Sequence, residues 1–369
     1  MRRGPTALPA LAFLSVLALA ATGCAGARGP TAPAAERTVG VGYETVVEAA
    51  SSLPELARRL DDVDANSVTI SVGRLDWTAF HWDAHPEVEA VPGRDHVAES
   101  IKALGTGADG KKRRITLTID LLIPGWINTN PGVAGINFDG TRSKDFASVS
   151  ALTTGPVGKR LVDFVAEVTR RYQPDAVALT ELMFDNNTYG GDDRESYLLT
   201  SGGTDWPRLA NGDIDVAHPS LGAWRSKSVA TLVAKAAAAA HANGAILDMD
   251  VRAPWHDPGG DRPESGHDYG LLAAAADRLV VWDYFGLNDA APAYSAELAR
   301  AMAKRPGKFA ISVGMWATDG SISAAELADA LAASVSGGAS AVAVTPSSML
   351  DDDAWQALKR VWAGAPASR

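Results

Sequence analysis

Residues 157–180 read VGKRLVDFVAEVTRRYQPDAVALT. The first part has the spacing of apolar residues that predicts an amphipathic helix over 157–172. The run AVALT at 176–180 is almost continuously apolar, as in parallel strands that are buried on both faces. This stretch therefore predicts a helix that leads, through a short turn, into a buried strand.

The same alternation of strand and helix extends along the chain in both directions. Apolar runs predict eight strands, at 38–43, 67–72, 115–121, 176–180, 245–251, 278–284, 309–313 and 339–344. Helices are predicted after them, at 53–60, 96–104, 157–172, 221–242, 269–276, 295–304, 324–334 and 353–361. With right-handed crossovers, eight such units close into a single (β/α)8 TIM barrel of the α/β class. An open, doubly wound sheet is the alternative. The GxGxxG match at 105–110 does not support it, because this segment neither follows a predicted strand nor opens a predicted helix, and the GxxxxGK[ST] phosphate loop is absent from the sequence.

Two segments are longer than simple connections. Residues 76–114 follow the second predicted strand, and residues 184–220 follow the fourth. Both leave the carboxyl ends of their strands, where barrel enzymes place their sites. We expect two long rim loops, of which 184–220 is polar, Gly-rich and aromatic enough to cover a substrate, with a plain surface loop as the alternative.

The composition excludes one class of function. The 369 residues are 46% hydrophobic and 21% charged, as in globular proteins, and the formal net charge is −10 at pH 7. An acidic chain whose longest run of Lys and Arg is the short KKRR at 111–114 is a poor partner for nucleic acid, so we do not expect nucleic-acid binding.

The amino-terminal residues resemble a bacterial lipoprotein signal peptide with its lipobox. Arg2 and Arg3 precede an apolar run at 8–21, and small residues then lead to Cys24, the single cysteine. The resemblance implies an acylated Cys24 that anchors an extracytoplasmic protein to membrane lipid, with an ordinary signal peptide as the alternative. We therefore expect a signal peptide at 1–23, a flexible tether at 24–36 and one folded domain at 37–369.

Aromatic and acidic residues follow nearly every predicted strand. Flat aromatic rings suit the apolar C–H faces of sugars, and carboxylates are strong acceptors for sugar hydroxyl groups. We therefore predict a carbohydrate-binding rim, although any single ring could instead plug the barrel mouth. The candidate binding residues are Tyr43, Asp76, Trp77, Asp120, Trp126, Phe184, Asp185, Asp248, Arg252, Trp255, Tyr284 and Trp316.

Three carboxylates are candidates for catalysis: Glu181, Asp283 and Asp250. Hydrolysis of a glycosidic bond needs a proton donor and a second group that stabilises or attacks the anomeric carbon. Glu181 follows the strand at 176–180 and has apolar neighbours that raise a carboxyl pKa, which favours it as the acid. Asp283 is preferred as the second carboxylate, with Asp250 and Asp185 as alternatives, and a structural ion pair is the alternative for Glu181.

We expect neither a metal site nor a cofactor. The predicted strands contain no histidine, and His81 and His85 lie in a loop that Pro86 interrupts. Asp213 and Asp215 lack the rest of an EF-hand loop, and no GxSxG motif marks a nucleophilic serine.

Three short motifs carry a family resemblance. The segments RLVDFV (160–165) and YQPDAV (172–177) resemble the helix and fourth-strand entry of glycosyl-hydrolase-like (β/α)8 barrels. Trp224 and Arg225 resemble the "W-R" helix of the same family, which includes the glycosidase half of periplasmic poly-N-acetylglucosamine hydrolases. The resemblance spans residues 115–316 and implies a (β/α)8 fold with a polysaccharide or glycan substrate.

The chain departs from the family pattern at catalytically relevant positions. Ala176 stands where Gly is usual, Thr180-Glu181 stands where paired acids are usual, and the segment SVGMW (312–316) has no glutamate on strand seven. A mechanism with glutamates on strands four and seven is therefore disfavoured. The sequence predicts a lipid-anchored extracytoplasmic glycoside hydrolase that uses carboxylate acid/base catalysis on a polysaccharide or cell-surface glycan. The alternatives are a non-catalytic glycan-binding lipoprotein and a structural envelope factor.

Overall fold

The computed structural model describes residues 34–184 and 186–363. These residues belong to one unit, Ala32–Arg369. The predicted signal peptide, Cys24, most of the tether and Asp185 lie outside the described residues. Among the described helices, none combines the length and apolar character needed to cross a membrane.

Eight parallel strands form a closed ring, which confirms the predicted (β/α)8 barrel. Each strand pairs with the next one along the chain, and the first strand also pairs with the last. The strands are β1 (Glu36–Val41), β2 (Ser67–Arg74), β3 (Arg114–Asp120), β4 (Ala176–Thr180), β5 (Ile246–Arg252), β6 (Arg278–Asp283), β7 (Lys308–Gly314) and β8 (Ala341–Thr345).

β1 begins at Glu36, inside the stretch predicted to be a tether. Two contacts explain why this residue is ordered. Glu36 pairs with Ala341 of β8, and its carboxylate accepts a hydrogen bond from the Arg278 guanidinium at 2.8 Å.

The described residues form eleven α-helices. Eight agree with the predicted helices to within two residues, and three further ones lie in the segments that follow β3 and β4. The helices are α1 (Leu53–Asp62), α2 (His96–Leu104), α3 (Pro124–Thr129), α4 (Val149–Thr153), α5 (Pro156–Tyr172), α6 (Gly191–Ser201), α7 (Pro219–His241), α8 (Tyr269–Ala275), α9 (Tyr294–Met302), α10 (Ala324–Ser336) and α11 (Asp352–Trp362).

Helix α5 illustrates how the sequence determines these elements. It begins at Pro156, whose missing N–H costs nothing in the first turn, and ends before Gln173, which has a left-handed φ of 48°. Its apolar stripe is fully buried, and this burial packs the helix against the barrel. The stripe includes Leu161, Phe164, Val165 and Val168.

The rim carries three long excursions rather than the two that we predicted. Those after β2 and β4 are present, and α6 lies within the one after β4. The third follows β3 and contains α3 and an antiparallel strand pair, Ala134–Ile136 with Arg142–Ala147. Its elements are too short for a periodic pattern to predict them.

The inside of the barrel is hollow. Many barrels fill this space with bulky branched side chains. Here mainly small or hydroxylated side chains face inward, and they leave a cavity of about 220 Å³. They include Thr38, Gly40, Ser71, Thr118, Ala178, Ala310, Ser312 and Ala343.

Candidate active site

Glu181 lies at the carboxyl end of the barrel, directly after β4. Its φ of 58° is in the left-handed region, which residues other than glycine rarely adopt and which often marks functional sites. Glu181 lines both the hollow interior and a second cavity of about 530 Å³ above it, which we call the mouth cavity. The sharp turn after β4 therefore places this residue between the interior and the open rim.

The wall of the mouth cavity comes from the segments that follow β4, β5, β6 and β7. It combines the carboxylate of Glu181 with two arginines and several large apolar or aromatic side chains. The lining residues include Glu181, Met183, Arg252, Trp255, Arg262, Trp282, Tyr284, Leu287, Asn288 and Trp316. Such a mixture suits a ligand with apolar faces and polar edges.

Asp250 lines the interior cavity just below the mouth. Burial raises the pKa of its carboxyl group from 3.8 to about 7, and hydrogen bonds from the Trp282 and Thr180 side chains limit that rise. Asp248, two residues earlier on β5, raises it further. The environment of Asp250 therefore brings the pKa of its carboxyl group toward neutral pH, as is common for carboxylates at functional sites.

Tyr284 lies close to both carboxylates. Burial raises the pKa of its phenol well above 10, and the nearby charges of Asp250 and Glu181 add to the effect. Its ring stacks on Trp282 at 5.2 Å between centroids with a 7° interplanar angle, and it meets Trp316 at 5.1 Å. The phenol thus lies among both carboxylates and two indole rings.

Gly314, the last residue of β7, makes room for this arrangement. A Cβ atom at position 314 would lie 2.3 Å from the Tyr284 ring, which is closer than non-bonded atoms approach. Position 314 therefore has to be glycine for the Tyr284 ring to keep its place beside Trp282 and Trp316.

The structure does not bring Asp283, our preferred second carboxylate, to the site. Because side chains alternate along a strand, Trp282 and Tyr284 face inward and Asp283 faces outward toward Ser295 of α9. Asp283 is fully buried and lines neither cavity. Burial raises its pKa to about 7, and the Ser295 hydroxyl lowers it only in part. Asp250, the alternative, takes the position beside Glu181.

Asp248 lies at the opposite, amino end of the barrel and has a structural role. The Arg278 guanidinium donates to its carboxylate at 2.5 Å, and Arg114 lies 3.6 Å from the same oxygen. Glu36 completes this partly buried ion cluster. Asp248 therefore lies in an ion cluster far from the mouth, and not at the rim where we predicted it.

Phe184 and Asp76 also hold the structure together rather than lining the mouth. Phe184 is 1% exposed and packs in the core. The Asp76 carboxylate accepts hydrogen bonds from the Gly125 and Trp126 N–H groups at 2.7 and 3.2 Å, and so caps α3. Neither residue lines the mouth cavity or the interior.

The other predicted residues of the first three strand ends lie apart from the mouth cavity. Tyr43 and Trp77 form an edge-to-face pair at 5.8 Å, and the Arg160 guanidinium covers the Trp126 ring at 4.0 Å. Asp120 accepts from the Leu122 N–H, and burial raises its pKa to about 6. The structure thus divides the predicted rim: β4 to β7 supply the site, and β1 to β3 do not.

Four predicted residues lie where we expected them, in the wall of the mouth cavity: Arg252, Trp255, Tyr284 and Trp316. Sequence analysis missed Trp282, although its place two residues before Tyr284 put both on one strand face. It also missed Met183, Arg262, Leu287 and Asn288, whose loops carry no periodic signal.

Behind the wall, His267 donates from Nε2 to the Leu182 carbonyl oxygen at 2.9 Å, and its Nδ1 accepts from the Arg252 N–H at 3.3 Å.

Within residues 34–184 and 186–363, no group of three or more His, Cys, Asp or Glu side chains is arranged to hold a metal ion.

No family model matches the chain, and no curated protein matches it. Several solved structures do match the chain. The PgaB (BpsB) glycoside hydrolase domain from Bordetella bronchiseptica matches with a TM-score of 0.65 at 14% identity, over 89% of this chain and 98% of that one. The β-amylase catalytic domain from Paenibacillus polymyxa gives 0.64 at 10% identity, over 91% and 100%. Alpha-L-fucosidase isoenzyme 2 from Paenibacillus thiaminolyticus gives 0.60 at 15%, over 89% and 49%. By these likenesses the chain has the (β/α)8 fold of glycoside hydrolase domains, as its motifs led us to expect.

Proposed function

We propose that the protein is a glycoside hydrolase whose catalytic carboxylates are Glu181 and Asp250. The observation that carries this proposal is the convergence of both residues with Tyr284 beneath an aromatic-walled cavity. Two carboxyl groups in different environments, one open to the mouth and one enclosed, are what hydrolysis of a glycosidic bond requires. The solved structures with the same fold, such as the PgaB glycoside hydrolase domain, support the same class of reaction.

Glu181 reaches the mouth cavity and is the group that protonates the leaving oxygen of the glycosidic bond. Asp250 lies one layer deeper and, once ionised, stabilises the positive charge that develops at the anomeric carbon. The buried phenol of Tyr284 lies close to both carboxylates, and Trp282, Trp316 and Trp255 bind the apolar faces of the sugar.

The test is a screen of purified protein against a panel of soluble polysaccharides, scored for release of reducing ends. We expect Glu181→Gln and Asp250→Asn to lose more than ~100-fold in turnover, the usual size of a general acid–base contribution. Asp283→Asn is the matched control, since this buried aspartate lies outside both cavities. Full activity in Glu181→Gln would remove that residue from the mechanism.

A second function, glycan binding without cleavage, is favoured by one observation. β7 ends in Gly314, against which the Tyr284 ring packs, so no carboxylate stands at the strand-seven position. The same panel distinguishes the two functions: retention of a polysaccharide by the wild-type protein without release of reducing ends supports binding alone.

We also propose that Cys24 is acylated and holds the protein on the outer face of the cytoplasmic membrane. The support is the lipobox-like order of Arg2, Arg3, the apolar run and Cys24. Expression of the full chain in a bacterial host, followed by fractionation, tests this. We expect the wild-type protein in the membrane fraction with incorporated labelled palmitate, and Cys24→Ser without the label. Equal labelling of both proteins would refute the proposal.

A further inference from the structure

A second opening lies beside the mouth cavity, along the loop that follows β5. It has a volume of about 500 Å³, and we call it the side groove. Trp255, Arg262 and Asn288 belong to the walls of both the side groove and the mouth cavity. The two spaces are therefore neighbours that share these three residues, and each alone has the size of a small-molecule site.

Trp255 forms the boundary between the two spaces. Its ring packs on Tyr294 of α9 at 4.8 Å with an interplanar angle of 31°. The Tyr294 hydroxyl donates to the Pro254 carbonyl oxygen at 3.2 Å, which fixes the backbone next to Trp255. The indole is only partly buried, and its remaining surface serves as a platform on which a ring can stack.

The loop that carries Trp255 is tied down along its length. Arg305 donates to the Asp261 carboxylate at 2.8 Å and to the Gly260 carbonyl oxygen at 3.0 Å. Arg262 donates to the Ala253 carbonyl oxygen at 2.9 Å. The side groove is therefore formed before a ligand arrives, so binding does not have to order the loop.

The charges in the side groove are largely balanced. Asp261 pairs with Arg305, and Glu264 pairs with Arg262. Asp257 accepts a hydrogen bond from the Gly259 N–H. These groups offer hydrogen bonds without a strong field of either sign, which suits an uncharged chain better than a polyanion or a polycation.

We infer that the side groove binds further sugar units of an uncharged glycan chain, which crosses Trp255 on its way from the mouth cavity. This inference rests on the proposed function and extends it: the substrate is an oligomer or polymer that occupies both spaces at once. A disaccharide that fills the mouth cavity leaves the side groove empty and gains nothing from it.

The test measures how affinity depends on chain length. Uncharged cello- and chito-oligosaccharides of two to six units, together with a size ladder prepared from any polysaccharide that the protein cleaves, are titrated into the Glu181→Gln protein. We expect affinity to rise about tenfold or more between the shortest and longest members, as is usual when an aromatic platform is added. When Trp255→Ala is added to the Glu181→Gln protein, the rise of affinity with chain length should disappear. Trp255→Phe, added in the same way, should keep most of this rise.

Tyr43→Ala is the matched control, because Tyr43 is an exposed ring of the same rim that lines neither the mouth cavity nor the side groove. The inference is overturned if Trp255→Ala keeps the same dependence on chain length, or if the Trp255-containing protein binds all lengths equally. If wild-type protein neither binds nor cleaves a member of any ladder, the proposed function itself fails and this inference fails with it.

Discussion

Asp283→Asn should make the protein more stable at alkaline pH, and the size of the effect follows from its surroundings. Burial holds the pKa of Asp283 at about 7 in the folded state, against an ordinary value of 3.8. Between these two values the folded state keeps a proton that the unfolded state has lost. Stability therefore falls as pH rises through that window, and the loss is complete above pH 7. A pKa difference of about three corresponds to ~4 kcal/mol.

Asparagine at position 283 cannot ionise, so the variant escapes this loss. We expect the variant to be more stable than wild type by only ~1 kcal/mol at pH 4.5, near the lower end of the window, and by up to ~4 kcal/mol at pH 8. With an unfolding entropy of about 2.1 cal/mol/K per residue, that difference raises the midpoint of thermal unfolding by roughly 6 °C. Urea unfolding and thermal unfolding, both followed by circular dichroism at the two pH values, measure it.

Asp329→Asn, an exposed position on α10, is the control and should show no such difference between the two pH values. The reasoning is refuted if Asp283→Asn is equally or less stable than wild type at pH 8. Loss of glycan cleavage in a stably folded Asp283→Asn protein would instead restore this residue to the catalytic pair.

Three further outcomes follow from the site and the barrel. The rate of wild-type cleavage should rise with pH on the acid side with an apparent pKa near 7, because Asp250 must ionise, and a flat profile from pH 5 to 8 would exclude that role. Gly314→Ala should displace the Tyr284 ring and lower kcat/KM by about tenfold or more, while near-ultraviolet circular dichroism reports the moved rings. Arg278→Met should destabilise the protein by about 3–5 kcal/mol in urea, since it leaves the Asp248 and Glu36 carboxylates without this partner, and an unchanged midpoint would contradict the ion cluster.

The strands of the barrel could be predicted because buried parallel strands are apolar on both faces. Because both faces are apolar, hydropathy does not show which face of a strand points into the barrel. At β6 the hydropathy of Trp282, Asp283 and Tyr284 does not say whether the aspartate or its neighbours line the interior. The choice between Asp283 and Asp250 therefore needed the register of the closed ring.

The structural roles of Asp76 and Asp248 could not be predicted from the sequence either. Asp76 caps a helix that begins 48 residues later, and Asp248 meets Arg278 and Arg114 only when the ring closes. Local sequence shows neither partner. Glu181, by contrast, could be predicted because it directly follows a clear strand, and position along a barrel strand determines height above the core.

The hollow interior of the barrel contains volume that no side chain fills. Ala178, Ala310 and Ala343 face free space, so larger apolar side chains at these positions would occupy volume that now does not contribute to packing. Each added methylene group is worth about 0.8 kcal/mol when it is buried without crowding. Larger side chains inside the barrel are therefore a route to a more heat-resistant protein that leaves every residue of the rim unchanged.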